Sequence, residues 1–213
     1  MISKIISWDT SLFNLINHNR SVFLDWIMAI FSNSLFMAII AIFVVFFMLW
    51  QRKFDFWYIY IIFIIITFAL SDRISVVCFK YVFCRLRPSH ALTDSITLKL
   101  QHGDLIHWYK GGKYGFVSSH ASNIFSLIAF VILSLKSKRI PPQKISNTSF
   151  KVFIICILFW GIITGYSRVY CGFHYPTDVL CGGLLGGLIG WGTYYFCAKL
   201  IWKLQNKRIL KQL

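Results

Sequence analysis

Glutamate is missing altogether from these 213 residues, and only 14% of them are charged. A dissolved domain carries a surface on the order of 25–35% charged, so a freely soluble globule is excluded. The acids that remain are seven aspartates against 22 Lys and Arg, a formal net charge of +15. In a soluble chain that imbalance would point to nucleic acid. Here the bases gather in short loops between apolar stretches, where they orient a chain in a bilayer and meet anionic lipid heads. No nucleic-acid partner is needed to explain them. The first twenty residues lack the sustained apolar core and small-residue cleavage site of a signal peptide, since Asp9, Asn14, Asn17 and His18 interrupt them. The six cysteines show no CxxC or other metal spacing. Cys156, Cys181 and Cys197 lie in apolar runs, as small buried side chains do.

What the chain has in abundance is apolar: 57% of residues are hydrophobic, and 21 are Phe. A helix crossing a bilayer needs roughly 17–25 such residues. Five stretches qualify: Ser34–Trp50, Phe56–Phe79, Ser118–Leu135, Val152–Tyr166 with a little beyond, and Thr177–Ile201. The expected fold is all-α, a polytopic membrane helical bundle forming a single domain over 1–213, with a tail over 202–213. Arg52 and Lys53 follow the first span. Lys136, Lys138, Arg139, Lys144 and Lys151 lie between the third and fourth, and Lys199, Lys203, Lys207, Arg208 and Lys211 follow the fifth. With five spans all three groups share one side, which the positive-inside rule makes cytoplasmic. The N-terminus, the loop Arg87–Val117 and the turn Arg168–Tyr175 then face outward.

Residues 1–33 are amphipathic. Trp8, Leu12, Phe13, Leu15 and Ile16 recur at helical spacing, as do Phe23, Trp26, Ile27, Ile30 and Phe31. Two short helices lying in the outer interface are expected. The rival is a long first helix beginning near Val22, against which Asp25 and the Ser32-Asn33-Ser34 break argue. Later in the chain, Gly161 and Gly165 stand four apart, as do Gly182, Gly186 and Gly190, and Gly183 and Gly187. Such stripes let helix backbones approach closely. They are expected to clamp the ends of the fourth and fifth spans that bear Arg168 and His174.

The polar side chains converge on one membrane level. Lys80 and Arg87 end the second span, Ser118, Ser119 and His120 open the third, Arg168 ends the fourth, and His174 and Asp178 open the fifth. Ionisable groups at membrane depth are costly, and so point to function. Arg offers phosphate a planar fork, Lys a point charge. The helix opening at Ser118 and Ser119 adds free backbone N–H groups. His174 precedes Asp178 by one turn, a spacing at which a carboxylate can orient an imidazole as nucleophile. His120, from another span, could protonate a leaving oxygen and later activate water. Any one of these alone is as readily a satisfied polar residue or a snorkelling anchor. Together they spell a phosphate site.

The spacing of these residues resembles a known family. Lys80 to Arg87-Pro88 matches K-x6-R-P, Phe116 to His120 resembles P-S-G-H, and Ser167-Arg168 to His174 and Asp178 is similar to S-R-x5-H-x3-D. These are the three motifs of the type 2 phosphatidic acid phosphatases. The resemblance implies a metal-independent membrane phosphatase, without cofactor, working through a phosphohistidine. By motif position His174 is the nucleophile, Asp178 its partner and His120 the general acid. Lys80, Arg87, Ser118 and Arg168 bind phosphate, and Ser119 joins them if its hydroxyl adds a contact. Val117 and Ser119 depart from the Pro and Gly of the second motif. Ser119 is therefore expected to be strained, to shift the phosphate slightly, or to add its hydroxyl as a phosphate contact. The family usually has six spans, and this chain is expected to lack the first. A bacterial inner-membrane enzyme facing the periplasm is implied, acting on a lipid phosphate: lipid A, undecaprenyl diphosphate or phosphatidylglycerol phosphate, with lipid A slightly ahead. No required protein partner is evident. A lipid-to-lipid phosphotransferase and a non-catalytic carrier of anionic lipids are the alternatives.

Three secondary features carry expectations of their own. Asp72 and Arg73 interrupt the second span and suggest a local polar network, with a wall of a head-group cavity as the alternative. Cys84 and Cys171 face the same side and are expected as free thiols, with a disulfide the alternative. The loop Ser89–Gly115 carries His90, His102 and His107 at a spacing foreign to metal sites. It is expected to lie at the interface, with Lys110-Gly111-Gly112-Lys113 as a cap over the site.

Overall fold

The computed structural model describes residues 2–51, 56–137 and 147–210. Two helices lead: α1 over Ile2–His18 and α2 over Val22–Ser32. Ser21 caps α2 by accepting from the Leu24 N–H. Asn33 then breaks the chain, and α3 runs over Ser34–Gln51. The Asn33 side chain caps this new helix, accepting from the N–H groups of Leu35 and Phe36. Next come α4 (Trp57–Ile74), a π-helical turn (Ser75–Lys80) and the single turn α5 (Tyr81–Phe83), which form one continuous span. After the short α6 (Pro88–Ala91) and a hairpin of β1 (Leu98–Gln101) and β2 (Asp104–His107), three helices complete the fold. They are α7 (Ser119–Lys136), α8 (Asn147–Tyr170) and α9 (Pro176–Leu210).

Among the described residues, four helices are long and apolar enough to cross a membrane. They are Trp57–Phe83, Ser119–Lys136, Thr148–Tyr170 and Pro176–Arg208. A fifth passes only as a bent pair, Val22–Ser32 with Ser34–Trp50, broken by 61°. The expected all-α membrane bundle is therefore the observed architecture. The bend combines the two readings of the N-terminal region: α2 does join α3, but at an angle that keeps it apart as a separate helix. The helix α9 continues through residue 202 to Leu210, so most of the expected tail is helical. Of the basic residues used for orientation, Arg52, Lys53, Lys138, Arg139, Lys144 and Lys211 lie outside the described residues.

Lipid tails are as apolar as leucine, so burial of oily side chains cannot hold such helices together; close packing and polar contacts must. The glycine stripe of α9 supplies the first. A Cβ added at Gly182 would sit 2.6 Å from the Ser118 carbonyl oxygen, and at Gly186 and Gly190 it would collide with the Ser122 and Ser126 carbonyls. The stripe therefore packs on α7, the third span, and not on α8. Gly161 of α8 also faces α7, at Ile128 and Phe125, and only Gly165 meets α9, at Val179. Thus the clamp draws together the ends bearing Ser119 and His174. Polar contacts supply the second: Ser71 to Ser122 at 2.7 Å, and Thr67 to Thr193 at 2.7 Å. Away from the site, Met48, Ile64, Phe130, Val131 and Ile201 form the apolar core of the bundle. Leu184, Leu188 and Trp191 of α9 are exposed, as lipid-facing residues are.

The hairpin was not foreseen. His102 and Gly103 both take positive φ, 51° and 92°. That is the geometry of a two-residue turn matching the twist of the flanking strands. Its four-residue strands are too short to betray a periodicity. All six cysteines are free, Cys84 exposed and Cys171 buried.

Candidate active site

Gly172 closes the loop between α8 and α9. Its φ is +75°, and a Cβ there would collide with the Ile96 carbonyl oxygen, so a glycine is required. The left-handed turn sends the chain back. The N–H groups of Phe173 and His174 both donate to the Arg168 carbonyl, at 3.0 and 3.2 Å. Arg168 and His174 are thereby held on one turn. Pro176 opens α9, where its missing N–H costs nothing. Asp178 follows, its Oδ2 lying 3.6 Å from His174 Nδ1 and accepting from the Tyr175 N–H at 3.0 Å.

The π-helical turn places the lysine. Its hydrogen bonds run i→i+5, which brings residues five apart toward one face. Ser75 and Lys80 are such a pair, and both reach Ser119: Ser75 Oγ at 2.7 Å and Lys80 Nζ at 2.8 Å. Ser119 is absent from the positive-φ residues, so the strain considered for it does not arise. Its hydroxyl anchors the lysine instead.

Arg87 is set by the loop that covers it. Its N–H donates to the Lys113 carbonyl and its Nε to the Tyr114 carbonyl, at 3.1 and 3.2 Å. Gly111 lies so near that an added Cβ would be 2.7 Å from Arg87 Nη1. The glycine pair thus sits over the site as a cap. Arg168, 6% exposed, donates to the carbonyl and hydroxyl of Ser32, and its guanidinium stacks 4.4 Å from the Phe173 ring. His120 Nε2 pairs with Ser34 Oγ at 3.2 Å. The Ser32-Asn33-Ser34 break therefore touches both an arginine and a histidine of the site.

These side chains enclose a cavity of about 590 Å³, lined by Lys80, Arg87, Ser119, His120, Arg168 and His174. Ser118 and Asp178 are not among the lining residues; both are fully buried. The Ser118 N–H donates to the Asp178 carbonyl at 2.9 Å, tying α7 to α9. Burial pushes the His174 imidazole well below its ordinary pKa, and Arg87, Arg168 and Lys80 push it further. The ring is neutral at pH 7, with a lone pair available. Burial also lowers Arg87, while Asp178 opposes the shift. The Cys171 thiol is pushed up to about 11 by burial, so it stays protonated.

Other lining groups were not singled out as site residues from the sequence: Asn33, Ser34, Asn123 and Tyr109. Asp72 also lines the cavity, which favours the head-group wall over the local network expected for it. Arg85 and Asp9 were missed entirely. Arg85 occupies a variable position inside K-x6-R-P; its charge beside two fixed cations was the available signal.

The chain belongs to the PAP2 superfamily, whose model matches residues 63–202. It is thus a membrane-embedded phosphatase. The lipid A 4'-phosphatase of Bacteroides thetaiotaomicron is 27% identical over 206 residues, covering 97% of this chain and 84% of that one. The undecaprenyl-diphosphatase of Sulfolobus acidocaldarius is also 27% identical, over 86% of this chain and 76% of its own. Among solved structures, the PAP2-type phosphatidylglycerolphosphate phosphatase of Bacillus subtilis superposes with a TM-score of 0.66 at 22% identity. That match covers 92% of this chain and 87% of the other, and it speaks for the fold.

Proposed function

We propose that this chain, acting as a single unit, removes phosphate from a membrane lipid through a phosphohistidine formed on His174. The observation that carries this reading is one buried, neutral imidazole on a cavity shared with three cations and a second histidine. Asp178 Oδ2 lies 3.6 Å from His174 Nδ1, which leaves Nε2 as the atom that attacks phosphorus. The P–O bond to the lipid breaks, and His120 gives its proton to the leaving oxygen. His120 then takes a proton from water, whose oxygen attacks the phosphorus and breaks the P–N bond. Lys80, Arg87 and Arg168 hold the charge that gathers on the equatorial oxygens. Ser118 acts from behind, by fixing the start of α7. The N–H groups of the first turn of α7 remain free to meet an anion.

The cavity is far larger than a phosphate and of a size that holds a whole head group. Asn33, Ser34, Asp72 and Asn123 give it hydroxyl- and amide-bonding walls, suited to a sugar. With the similarity to lipid A 4'-phosphatases, this favours a lipid A phosphate over undecaprenyl diphosphate or phosphatidylglycerol phosphate. Lys136 ends α7, Lys151 lies near the start of α8, and Lys207 and Arg208 stand in the last turn of α9, all remote in sequence from the site. By the positive-inside rule, the site faces the periplasm from a bacterial inner membrane. The test is phosphate release from a panel of these lipids in detergent, by wild type and His174→Ala. Equal rates for the two proteins would sink the reading.

A further inference from the structure

The side of α1 that faces the bundle is the unexpected one. Trp8, Leu12 and Leu15 are exposed, whereas Asp9 is 5% exposed and Phe13 and Asn17 are fully buried. A helix that only floated in the interface would hide its apolar side and leave its polar side to water. Here two polar residues point inward, and each meets the segment that carries His174. Asn17 donates to the carbonyls of Ile96 and Tyr170, at 2.8 and 2.9 Å. Phe13 packs edge-on against Tyr175, ring centroids 5.5 Å apart. The carboxylate of Asp9 accepts from the Thr177 N–H at 2.9 Å, near the start of α9, and from the Thr177 hydroxyl.

The same carboxylate pairs with Arg85. Through its other nitrogen, Arg85 donates to Asp178 Oδ1 at 2.8 Å and to Thr177 Oγ1 at 2.7 Å. Its guanidinium lies 4.2 Å from the centre of the Tyr175 ring. Asp178 is thus held on both oxygens: Oδ1 by Arg85, and Oδ2 by the Tyr175 N–H with His174 at 3.6 Å. A planar fork between two carboxylates fixes direction in a way that a point charge cannot.

We propose that Arg85, held by Asp9 of α1, is a positioning residue of the reaction: it aims the Asp178 carboxylate and, through it, His174. The amphipathic helix is then a built part of the active site. Arg85 also neutralises one of the two carboxylates in the group, which keeps Asp178 from drawing a proton onto His174 before phosphate arrives. The charged and titratable groups facing His174 are Arg87, Arg168, Lys80, Asp178 and, from α7, His120. Arg85 acts on this set through Asp178.

The inference rests on His174 being the nucleophile, and the experiment separates the two. Wild type, His174→Ala, Arg85→Gln, Arg85→Lys and Asp9→Asn are assayed on a short-chain lipid phosphomonoester in detergent, per folded protein, across pH. Arg85→Gln is expected to lower kcat by about 10²-fold, the cost of a small misplacement of a reacting group, with KM nearly unchanged because the phosphate cations are intact. Its acid limb moves to higher pH, since an unpaired Asp178 favours protonated His174. Arg85→Lys keeps the limb in place and recovers part of kcat. Asp9→Asn gives a smaller loss of the same kind. Arg85→Gln with kcat and acid limb both unchanged overturns the inference, as does a loss of thermal stability alone, while an active His174→Ala overturns the nucleophile instead.

Discussion

Lys80 Nζ donates to Ser119 Oγ at 2.8 Å, joining the second span to the start of α7 where the resembled motif carries glycine. The same hydroxyl meets Ser75 one π turn back, so a single side chain sets the lysine's place. Ser119→Gly should release it. A hydrogen bond to a charged group contributes about 1.5–3 kcal/mol, and water recovers part of that. The expected result is a fall of about tenfold in kcat/KM, equivalent to about 1.4 kcal/mol. Steady-state kinetics on one lipid phosphate decide it; unchanged values mean that the π turn alone holds Lys80.

The two histidines predict different failures. His174→Ala should abolish turnover and leave no acid-labile phosphate on the protein. His120→Ala should slow release of an ordinary alcohol by about 10²–10⁴-fold, the usual worth of general acid–base catalysis. With a nitrophenyl leaving group, which needs no proton, the first step recovers and the second does not. Labelled phosphate should then accumulate on the enzyme and be lost in His174→Ala. A His120→Ala protein that turns over both substrates at the wild-type rate removes His120 from the mechanism.

Burial and three cations hold the His174 pKa below its ordinary value of about 6.5. The folded protein therefore binds fewer protons at this residue than the unfolded chain does at mildly acid pH. Stability contributed by the neutral ring is complete above about pH 6.5 and falls as the pH drops below it. The melting midpoint in detergent, compared at about pH 7.5 and about pH 5.5, should fall more for wild type than for His174→Gln. The acid limb of kcat/KM belonging to His174 should likewise lie below the normal imidazole range.

Gly186 and Gly187 are neighbours with opposite surroundings. A Cβ at Gly186 would strike the Ser122 carbonyl, whereas one at Gly187 meets nothing within 4 Å. Overpacking costs about 1–3 kcal/mol, and each kcal/mol moves the midpoint of a domain this size by about 2–4 °C. Gly186→Ala should lower the melting midpoint by several degrees and reduce activity, because α7 and α9 carry the two histidine-bearing ends. Gly187→Ala should do neither.

Much of the cavity's lining is legible in the sequence because membrane chemistry is strict. A charge inside an apolar run is costly, so Lys80, Arg168 and Asp178 announced themselves. The glycine stripe was also plain, but its partner was not. A stripe records that something approaches, and whether α7 or α8 does so depends on the order of helices around the bundle. Asp72 was visible as a charge within a span; that it faces the cavity depends on the rotation of α4.

The chain's own chemistry determined the bundle and the polar residues that gather at one level around the cavity, because hydropathy and local helix geometry act over a few turns. Only the tertiary structure decided which polar groups hold those residues in place. Asp9 and Arg85 are 76 positions apart and Ser34 and His120 are 86. No local period links such pairs; they meet because α1 and the α2–α3 break fold back over the ends of the spans, where a buried carboxylate such as that of Asp9 must find partners.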